Sequence, residues 1–208
     1  MKMMPRLDDN DETIIADIAS FSVEDENELY CTLKATLDAI CENVLPSLLN
    51  WKTCKFKHRL FENRTPRGNY SACFSLYMTD DDFPHSTPKT ILDVDTIEVT
   101  LHTSTGETAV NDISHEFKTP IKARCYVMMA ALKRMFAVDN VLYVTKNVAV
   151  DHAKAKAFSE YTKQDYTSIL KAKEVKLNAN VEATIDFPKC KTLEELTLML
   201  AISGDLKK

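Results

Sequence analysis

Two neighbouring segments in the first half of the chain alternate between apolar and polar residues, and this pattern constrains the fold more than any other feature. Residues 51–61 and residues 70–78 each place their apolar side chains on one face of an extended strand. The two apolar sets are Cys54, Phe56, His58 and Leu60, then Tyr70, Ala72, Phe74, Leu76 and Met78. A strand pair with one apolar face needs a covering layer, so the alternation predicts a β-hairpin packed against helices.

Three segments carry the start and stop signals of such helices. Ser22 precedes an acidic first turn and an apolar series spaced by three or four residues as far as Leu48, although Pro46 is expected to bend or end that helix. Thr119 followed by Pro120 is typical of a helix N-terminus. The last helix is predicted from the pair Thr192 and Glu195, which forms a capping box, and from Gly204 at its end. These helices are the expected covering layer.

The other segments complete an α+β pattern. A third strand is predicted at 96–103, with Ile97, Val99 and Leu101 buried, and a short fourth strand near 107–110. The acidic stretch TDDDFPHSTPKT before it contains two prolines and is expected to be an irregular loop. Further elements are predicted as a strand at 141–145, a helix from Asp151 to about 172 and a strand at 175–185. The predicted fold is a two-layer α+β sandwich, a mainly antiparallel sheet covered by helices in the order α-β-β-β(-β)-α-β-α-β-α.

The domain organisation follows from the same reading. Residues 1–22 are predicted to be an acidic, partly disordered leader, whose short apolar set would dock as one or two helical turns. Residues 23–208 are expected to form a single α+β domain, with a sub-boundary near 147–151 as the alternative. The chain has no apolar run of the ~18 residues that cross a bilayer, and its six cysteines lack CxxC spacing. We therefore expect free thiols and a cytoplasmic protein.

Glycine is scarce, and the shortage excludes a class of sites. The chain contains only Gly68, Gly106 and Gly204. Loops that hold nucleotide phosphates need several glycines close together, because the backbone must approach the ligand and adopt positive φ angles. The sequence therefore predicts neither a classical nucleotide-binding loop nor a cofactor.

Charge is distributed in blocks along the chain. Residues 1–50 carry a net charge of −8, residues 51–79 carry +5, residues 80–116 carry −8 and residues 117–208 carry +6. The overall charge of −5 thus conceals a basic segment that coincides with the predicted hairpin.

The basic hairpin is the predicted functional site, for contact with RNA or another single-stranded nucleic acid. Basic side chains along an extended strand can follow a phosphate backbone, and flanking aromatic rings can stack on unpaired bases. The residues assigned to this site are Trp51, Lys55, Lys57, Arg59, Phe61, Arg64 and Arg67. The alternatives are a solvated sheet face, with Lys57 or Arg59 paired to Glu98, and a surface for a protein partner.

The predicted helix–strand–strand–strand–helix order over roughly 24–137 resembles, in topology alone, the double-stranded RNA-binding domain. That family carries a basic cluster at the start of its second helix, to which Lys118, Lys122 and Arg124 correspond only thinly. The span is also far longer than that module. The resemblance therefore does not place the chain in the family.

Catalysis receives little support from the sequence. The acidic stretch offers oxygen and imidazole ligands suited to Mg²⁺ or Mn²⁺, but a solvated acidic loop is the preferred interpretation. These candidate ligands are Asp80, Asp81, Asp82, His85, Asp93 and Asp95. The five histidines have neither HxH nor HExxH spacing. We predict no catalytic residue and no metal site.

Three functional hypotheses follow, in order of preference. The first is a non-enzymatic protein that binds RNA or single-stranded DNA. The second is an interaction or scaffold protein whose charge blocks match those of a partner or of another copy of itself. The third and remote one is a divalent-metal phosphodiesterase that uses the acidic loop.

Overall fold

A computed structural model describes residues 3–49, 51–81, 87–95, 115–149 and 178–205. The helices are α1 (Asp11–Ala19), α2 (Val23–Ala39), α3 (Leu45–Leu49), α4 (Pro120–Lys133) and α5 (Leu193–Ser203). The strands are β1 (Cys54–Arg64), β2 (Tyr70–Asp80), β3 (Lys89–Asp95), β4 (Val141–Ala149) and β5 (Asn178–Asp186). The fold is α+β, as the sequence predicts.

The predicted helix starts are confirmed, and each is stabilised by local capping hydrogen bonds. The side chain of Ser22 accepts a hydrogen bond from the backbone N–H of Asp25, and Thr119 does the same for Lys122. Thr192 and Glu195 form a reciprocal capping box at the start of α5. Gly204 ends α5 with a left-handed backbone, φ 79°, which a residue with a Cβ adopts at a cost.

The helix that begins at Ser22 does not end at Pro46. Helix α2 is followed by a π-helical turn over Ile40–Val44, and α3 then contains Pro46. Proline cannot donate a backbone hydrogen bond and its ring crowds the preceding turn. A widened turn directly before it is one of the recognised ways in which a helix absorbs that conflict.

The acidic leader contains a folded element. Residues 11–19 form α1, whose first turn is capped by the Asn10 side chain accepting from the N–H of Thr13. Its apolar residues Ile14 and Ile18 are buried, as is Phe21. Over these residues the segment predicted to be partly disordered is a docked helix.

Strands β1, β2 and β3 form an antiparallel sheet in that order. The third strand of the described sheet, β3, occupies Lys89–Asp95, directly before the segment 96–103 in which the third strand was predicted. Residues 89 and 90 were assigned to the irregular acidic loop, whereas backbone pairing with β2 makes them part of a strand. The predicted strands at 96–103 and 107–110 lie outside the described residues.

One face of this sheet carries the core. Phe56, Phe74 and Leu76 are buried there, and α4 packs against β2 and against α2. Met128, Met129 and Met135, on α4 and the turn after it, are fully buried. The helices thus cover the sheet face that carries the predicted apolar residues. The residues at the alternate positions of the strands lie on the other face.

The chain divides into two compact units. One contains residues 1–142 and 185–208, and the other contains residues 143–184, which include most of β4 and β5. These two strands pair in a separate two-stranded sheet. The predicted strand at 141–145 is confirmed and extends to Ala149, and the strand predicted at 175–185 is described from Asn178 to Asp186. The predicted helix at 151–172 lies outside the described residues.

Candidate nucleic-acid interface

The hairpin β1–β2 is closed by a tight turn whose sequence explains its shape. The N–H of Gly68 donates to the carbonyl of Thr65 at 2.9 Å, and the N–H of Thr65 donates to the carbonyl of Asn69 at 2.8 Å. Pro66 presets the backbone of the second turn position, and Gly68 adopts a φ of 82° that suits glycine. The turn places Arg67 at the exposed tip of the hairpin.

The register of the hairpin confirms the predicted alternation. Cys54 pairs with Asp80 and Arg64 pairs with Tyr70, so the two strands stay in phase over their whole length. Four of the predicted site residues lie on the face away from the helices and are exposed. They are Lys55, Lys57, Arg59 and Phe61. We call this face of β1, β2 and β3 the outer face.

Two predicted site residues lie elsewhere. Trp51 was placed on the same strand face, which is wrong, because β1 begins at Cys54 and Trp51 belongs to a turn in which its carbonyl accepts from the N–H of Cys54. Its side chain is half-buried. The strand from Cys54 to Phe61 spans about 23 Å, so Trp51 and Phe61 lie at opposite ends of the predicted site. Arg64 was assigned to the loop but is the last residue of β1, and it alternates onto the opposite face from Phe61.

The cations of the hairpin differ in their partners. Lys55 forms a salt bridge of 2.7 Å with Asp81, so its charge is already compensated. Arg59 donates from Nε to the hydroxyl of Tyr77 at 3.1 Å and its guanidinium lies 4.6 Å from the centre of that ring. Within the described part of the chain, no carboxylate lies in salt-bridge range of Lys57, Arg59, Arg64 or Arg67. Glu98, the predicted partner of Lys57 or Arg59, lies outside that part.

The outer face is acidic on its far side. Cys73 pairs with Phe61 on one side and with Asp95 on the other, and Ser75 likewise pairs with Arg59 and Asp93. Partial burial raises the pKa of the Cys73 thiol, and the charges of Asp95 and Asp93 raise it further. The described outer face therefore carries cations on β1 and carboxylates on β3, and its positive row is one strand wide.

The basic cluster at the start of α4 consists of Lys118, Lys122 and Arg124, and two of these side chains contact partners within the fold. Lys122 is buried, donates from Nζ to the carbonyl of Ala19 at 3.0 Å and lies 3.7 Å from a carboxylate oxygen of Glu26. Arg124 forms a salt bridge of 2.6 Å with Glu62 of β1. Of the three residues compared with the double-stranded RNA-binding domain, Lys118 alone is exposed. Two of the three basic side chains are therefore engaged by partners within the fold.

One partly buried pair of polar residues was not predicted. Nε2 of His58 lies 2.8 Å from a carboxylate oxygen of Asp38 on α2, and the imidazole stacks on Phe74 with ring centres 5.7 Å apart. Burial raises the pKa of the nearby Cys41 thiol to about 12, so this cysteine is a neutral thiol and a poor nucleophile at physiological pH. The sequence signal was a histidine on the apolar face of a strand, which does not identify its partner.

The described residues contain no group of three or more histidine, cysteine and acidic side chains arranged to hold a metal ion. Asp81 is engaged by Lys55, and Asp93 and Asp95 belong to β3. Asp82 and His85, the remaining ligands of the metal hypothesis apart from Asp80, lie outside the described ranges.

A cavity of about 450 Å³ lies among α1, β3, α4 and the turn after α4. Its basic side chains are compensated, because Lys133 contacts Asp11 at 2.8 Å and Arg134 contacts Asp139 at 3.3 Å. None of the seven predicted site residues lines this cavity. The hairpin, on which Lys57, Arg59, Arg64 and Arg67 have no carboxylate partner among the described residues, is the stronger candidate.

The chain was compared with protein-family models, with curated proteins and with solved structures. No protein-family model, no curated protein and no solved structure matches the chain. Among the described helices, none has the length and apolarity that a membrane span requires.

Proposed function

We propose that this protein binds RNA or single-stranded DNA, in preference to duplex DNA, through the hairpin β1–β2. The observation that carries the proposal is a run of cations without a carboxylate partner among the described residues, interrupted by an exposed aromatic ring. Lys57 and Arg59 supply the cations of the outer face, Arg67 supplies the one at the tip, and Arg64 lies on the opposite face of β1. Phe61, which is 54% exposed, supplies the ring. Proteins that bind single strands combine these two features.

The spacing along β1 suits an extended ligand. Lys57, Arg59 and Phe61 occupy alternate positions of one strand, so each is about 6.8 Å from the next on the same face. Arg59 is held against Tyr77 by its hydrogen bond and by the contact of its guanidinium with the ring. Because the side chain is already restricted, it loses less conformational entropy when it binds a phosphate. Unpaired bases are accessible to stacking on Phe61, whereas those of a duplex are stacked on each other.

The experiment is a fluorescence-anisotropy titration of a labelled single-stranded RNA at several salt concentrations. Each phosphate neutralised by a cation adds about 0.7 to the slope of log affinity against log salt. The double variant Lys57→Glu/Arg59→Glu should bind more weakly, and its slope should fall by about 1.4 or more. The control Lys189→Glu/Lys191→Glu changes the net charge equally in the loop before α5 and should retain most of the affinity and the slope. Equal losses in both variants would show that net charge, and not the hairpin, determines binding.

The aromatic contribution has its own matched pair of variants. Phe61→Ala should weaken binding by about 1–3 kcal/mol without changing the salt slope, because stacking is not ionic. Trp51→Ala should bind like the wild-type protein, since Trp51 lies in the turn before β1 and not on the outer face. Wild-type affinity in Phe61→Ala, or no binding by the wild-type protein at low salt, would refute the proposal.

A second candidate function, contact with a protein partner or with another copy of the chain, is favoured by one observation. The outer face carries cations on β1 and the carboxylates Asp93 and Asp95 on β3, so two copies related by a two-fold axis would match charge to charge. Sedimentation velocity at low and high salt separates the two functions. A dimer that dissociates with salt and is absent in Lys57→Glu/Arg59→Glu would favour self-association.

We also propose a cytoplasmic location. All six cysteines are free thiols, and burial raises the pKa values of Cys41 and Cys125 to about 12. Free cysteines at this number are typical of a reducing compartment. Localisation of the tagged protein by fluorescence microscopy tests this directly.

A further inference from the structure

Tyr77 of β2 contacts Arg59 on the outer face, and it is not among the predicted site residues. The register places Tyr77 opposite Lys57, the outer-face residue of β1 before Arg59. Nε of Arg59 donates to the Tyr77 hydroxyl at 3.1 Å, and the guanidinium carbon lies 4.6 Å from the centre of the ring. These two contacts tie the Arg59 side chain to the neighbouring strand.

The sheet holds the Tyr77 ring in place. Tyr77 is 9% exposed although it lies on the outer face. It pairs with Thr90 of β3, and the register of β2 and β3 shifts between Leu76 and Tyr77. A β-bulge of this kind increases the local twist and re-aims the side chains beside it. The ring is therefore a fixed support, whereas the Arg59 side chain that it contacts is exposed.

The contacts with Tyr77 determine which edge of the Arg59 guanidinium is left for a ligand. A guanidinium has five N–H donors, one on Nε and two on each Nη. The Nε–H is bound by Tyr77, and within the described part of the chain neither Nη atom has a hydrogen-bond partner. The edge with both Nη atoms can donate two parallel hydrogen bonds to two oxygens of one phosphate. A lysine ammonium on its flexible stem has no such fixed edge.

We infer that Tyr77 is a positioning residue of the nucleic-acid site, which holds Arg59 so that its two Nη atoms bind a backbone phosphate. The inference rests on the proposed function and deepens it, because it makes the phosphate group, and not negative charge in general, the feature that Arg59 binds. A backbone phosphate is the same next to every base, so this contact carries no sequence information. Tyr77 acts through Arg59 and neutralises no phosphate itself.

The size of the effect follows from side-chain entropy. Immobilising one flexible side chain at an interface lowers an affinity by about two- to ten-fold. Tyr77→Phe keeps the ring and removes the acceptor, so it should weaken binding of single-stranded RNA by about this factor. Arg59 keeps its charge in this variant, so the slope of log affinity against log salt should not change. Arg59→Lys keeps the charge without the fixed edge and should weaken binding by a similar factor with the same slope.

A double-mutant cycle tests whether Tyr77 acts through Arg59. The measurement is fluorescence anisotropy with a labelled single-stranded RNA at one low salt concentration. In the Arg59→Ala background, Tyr77→Phe should change the affinity by less than about two-fold, because the side chain that it positions is gone. The control Tyr30→Phe removes a hydroxyl from a ring on α2 that also lies near an arginine, with Arg124 at 6.0 Å. This control should bind like the wild-type protein.

Wild-type affinity in Tyr77→Phe or in Arg59→Lys would overturn this inference alone. A loss in Tyr77→Phe that persists in full in the Arg59→Ala background would also overturn it, because Tyr77 would then act through the sheet and not through Arg59. Arg59→Lys changes an exposed side chain, so it remains a valid test if Tyr77→Phe disturbs the fold. Absence of single-strand binding by the wild-type protein would overturn the proposed function and this inference with it.

Discussion

Removal of the Lys122 side-chain charge should destabilise the fold more than most single substitutions. Lys122 and Glu26 are both buried, with side chains 11% and 4% exposed, and their charged atoms lie 3.7 Å apart. The Lys122 ammonium also donates to the carbonyl of Ala19, at the C-terminus of α1. Thr119 donates a further hydrogen bond to Glu26 at 3.0 Å. One pair thus joins the ends of α1, α2 and α4.

The expected magnitude follows from what Lys122→Met leaves behind. The carboxylate of Glu26 would remain buried without its cation, and breaking a buried pair in this way costs about 3–5 kcal/mol. For a chain of about this length, 1 kcal/mol corresponds to about 2–4 °C in Tm, so Tm should fall by about 6–20 °C. Adding Glu26→Gln removes the uncompensated charge and keeps an acceptor for Thr119. The double variant should therefore be more stable than Lys122→Met by at least about 1 kcal/mol.

Urea unfolding followed by tryptophan fluorescence measures these differences. Trp51 is the single tryptophan and belongs to the compact unit that contains Lys122. Lys118→Met, an exposed change in the same segment, is the control and should cost less than about 0.5 kcal/mol. If Lys122→Met unfolds like the wild-type protein, or if the double variant is no more stable than Lys122→Met, the uncompensated charge is not the cause.

Two further predictions concern titratable groups. Alkylation at about pH 8 should modify the exposed Cys31 before Cys125. Burial, and to a smaller extent the charge of Glu26, raises the pKa of the Cys125 thiol to about 12. Peptide mass spectrometry measures the order of modification, and early modification of Cys125 would contradict this prediction. Burial opposes ionisation of Asp38, but hydrogen bonds from Lys34 and His58 outweigh it and lower the pKa of Asp38. The stability that Asp38 contributes should therefore be present above about pH 4 and lost as the pH falls through its folded-state pKa. Urea titrations of the wild-type protein and Asp38→Asn should show a difference that narrows below about pH 4, and a constant difference down to about pH 2.5 would argue against this.

The features that could be predicted from sequence are those set by neighbours in the chain. The helix starts at Ser22, Thr119 and Thr192 depend on side chains three residues away, and each was located from sequence. The alternation of β1 and β2 was also predicted, because apolar residues recur at every second position of each strand, and the register confirms it. Local chemistry determines these elements almost alone.

Strand β3, which the sequence did not predict, shows where local chemistry is insufficient. Residues 89–95 contain a lysine and two aspartates and follow a proline, which is typical of a loop. They form β3 because β2 offers a free edge to pair with, and Leu92 reaches the core opposite Leu76. Strand pairing of this kind depends on contacts between segments that composition does not identify.

Lys122 illustrates the same limit for a charged side chain. In the sequence it joins Lys118 and Arg124 as a basic cluster, yet its carboxylate partner, Glu26, lies on a different helix far along the chain. Burial of a lysine requires such a partner, and only the packing of α2 against α4 supplies it. Counting charges by segment therefore overestimates the basic surface at the start of α4.

The outer face gives the strongest argument about what charge blocks mean in this protein. The segment 51–79 is strongly basic in sequence, but the register places Asp93 and Asp95 across the sheet from Arg59 and Phe61, and Asp81 beside Lys55. The described strand of the acidic block, β3, therefore runs back along the basic hairpin, as expected when a hairpin is extended by an antiparallel strand. Two segments of opposite net charge thus lie side by side on the sheet, with cations on β1 and carboxylates on β3. Such a pattern suits a ligand with one line of negative charge, and for this reason the single-strand proposal follows from the pairing of β1, β2 and β3.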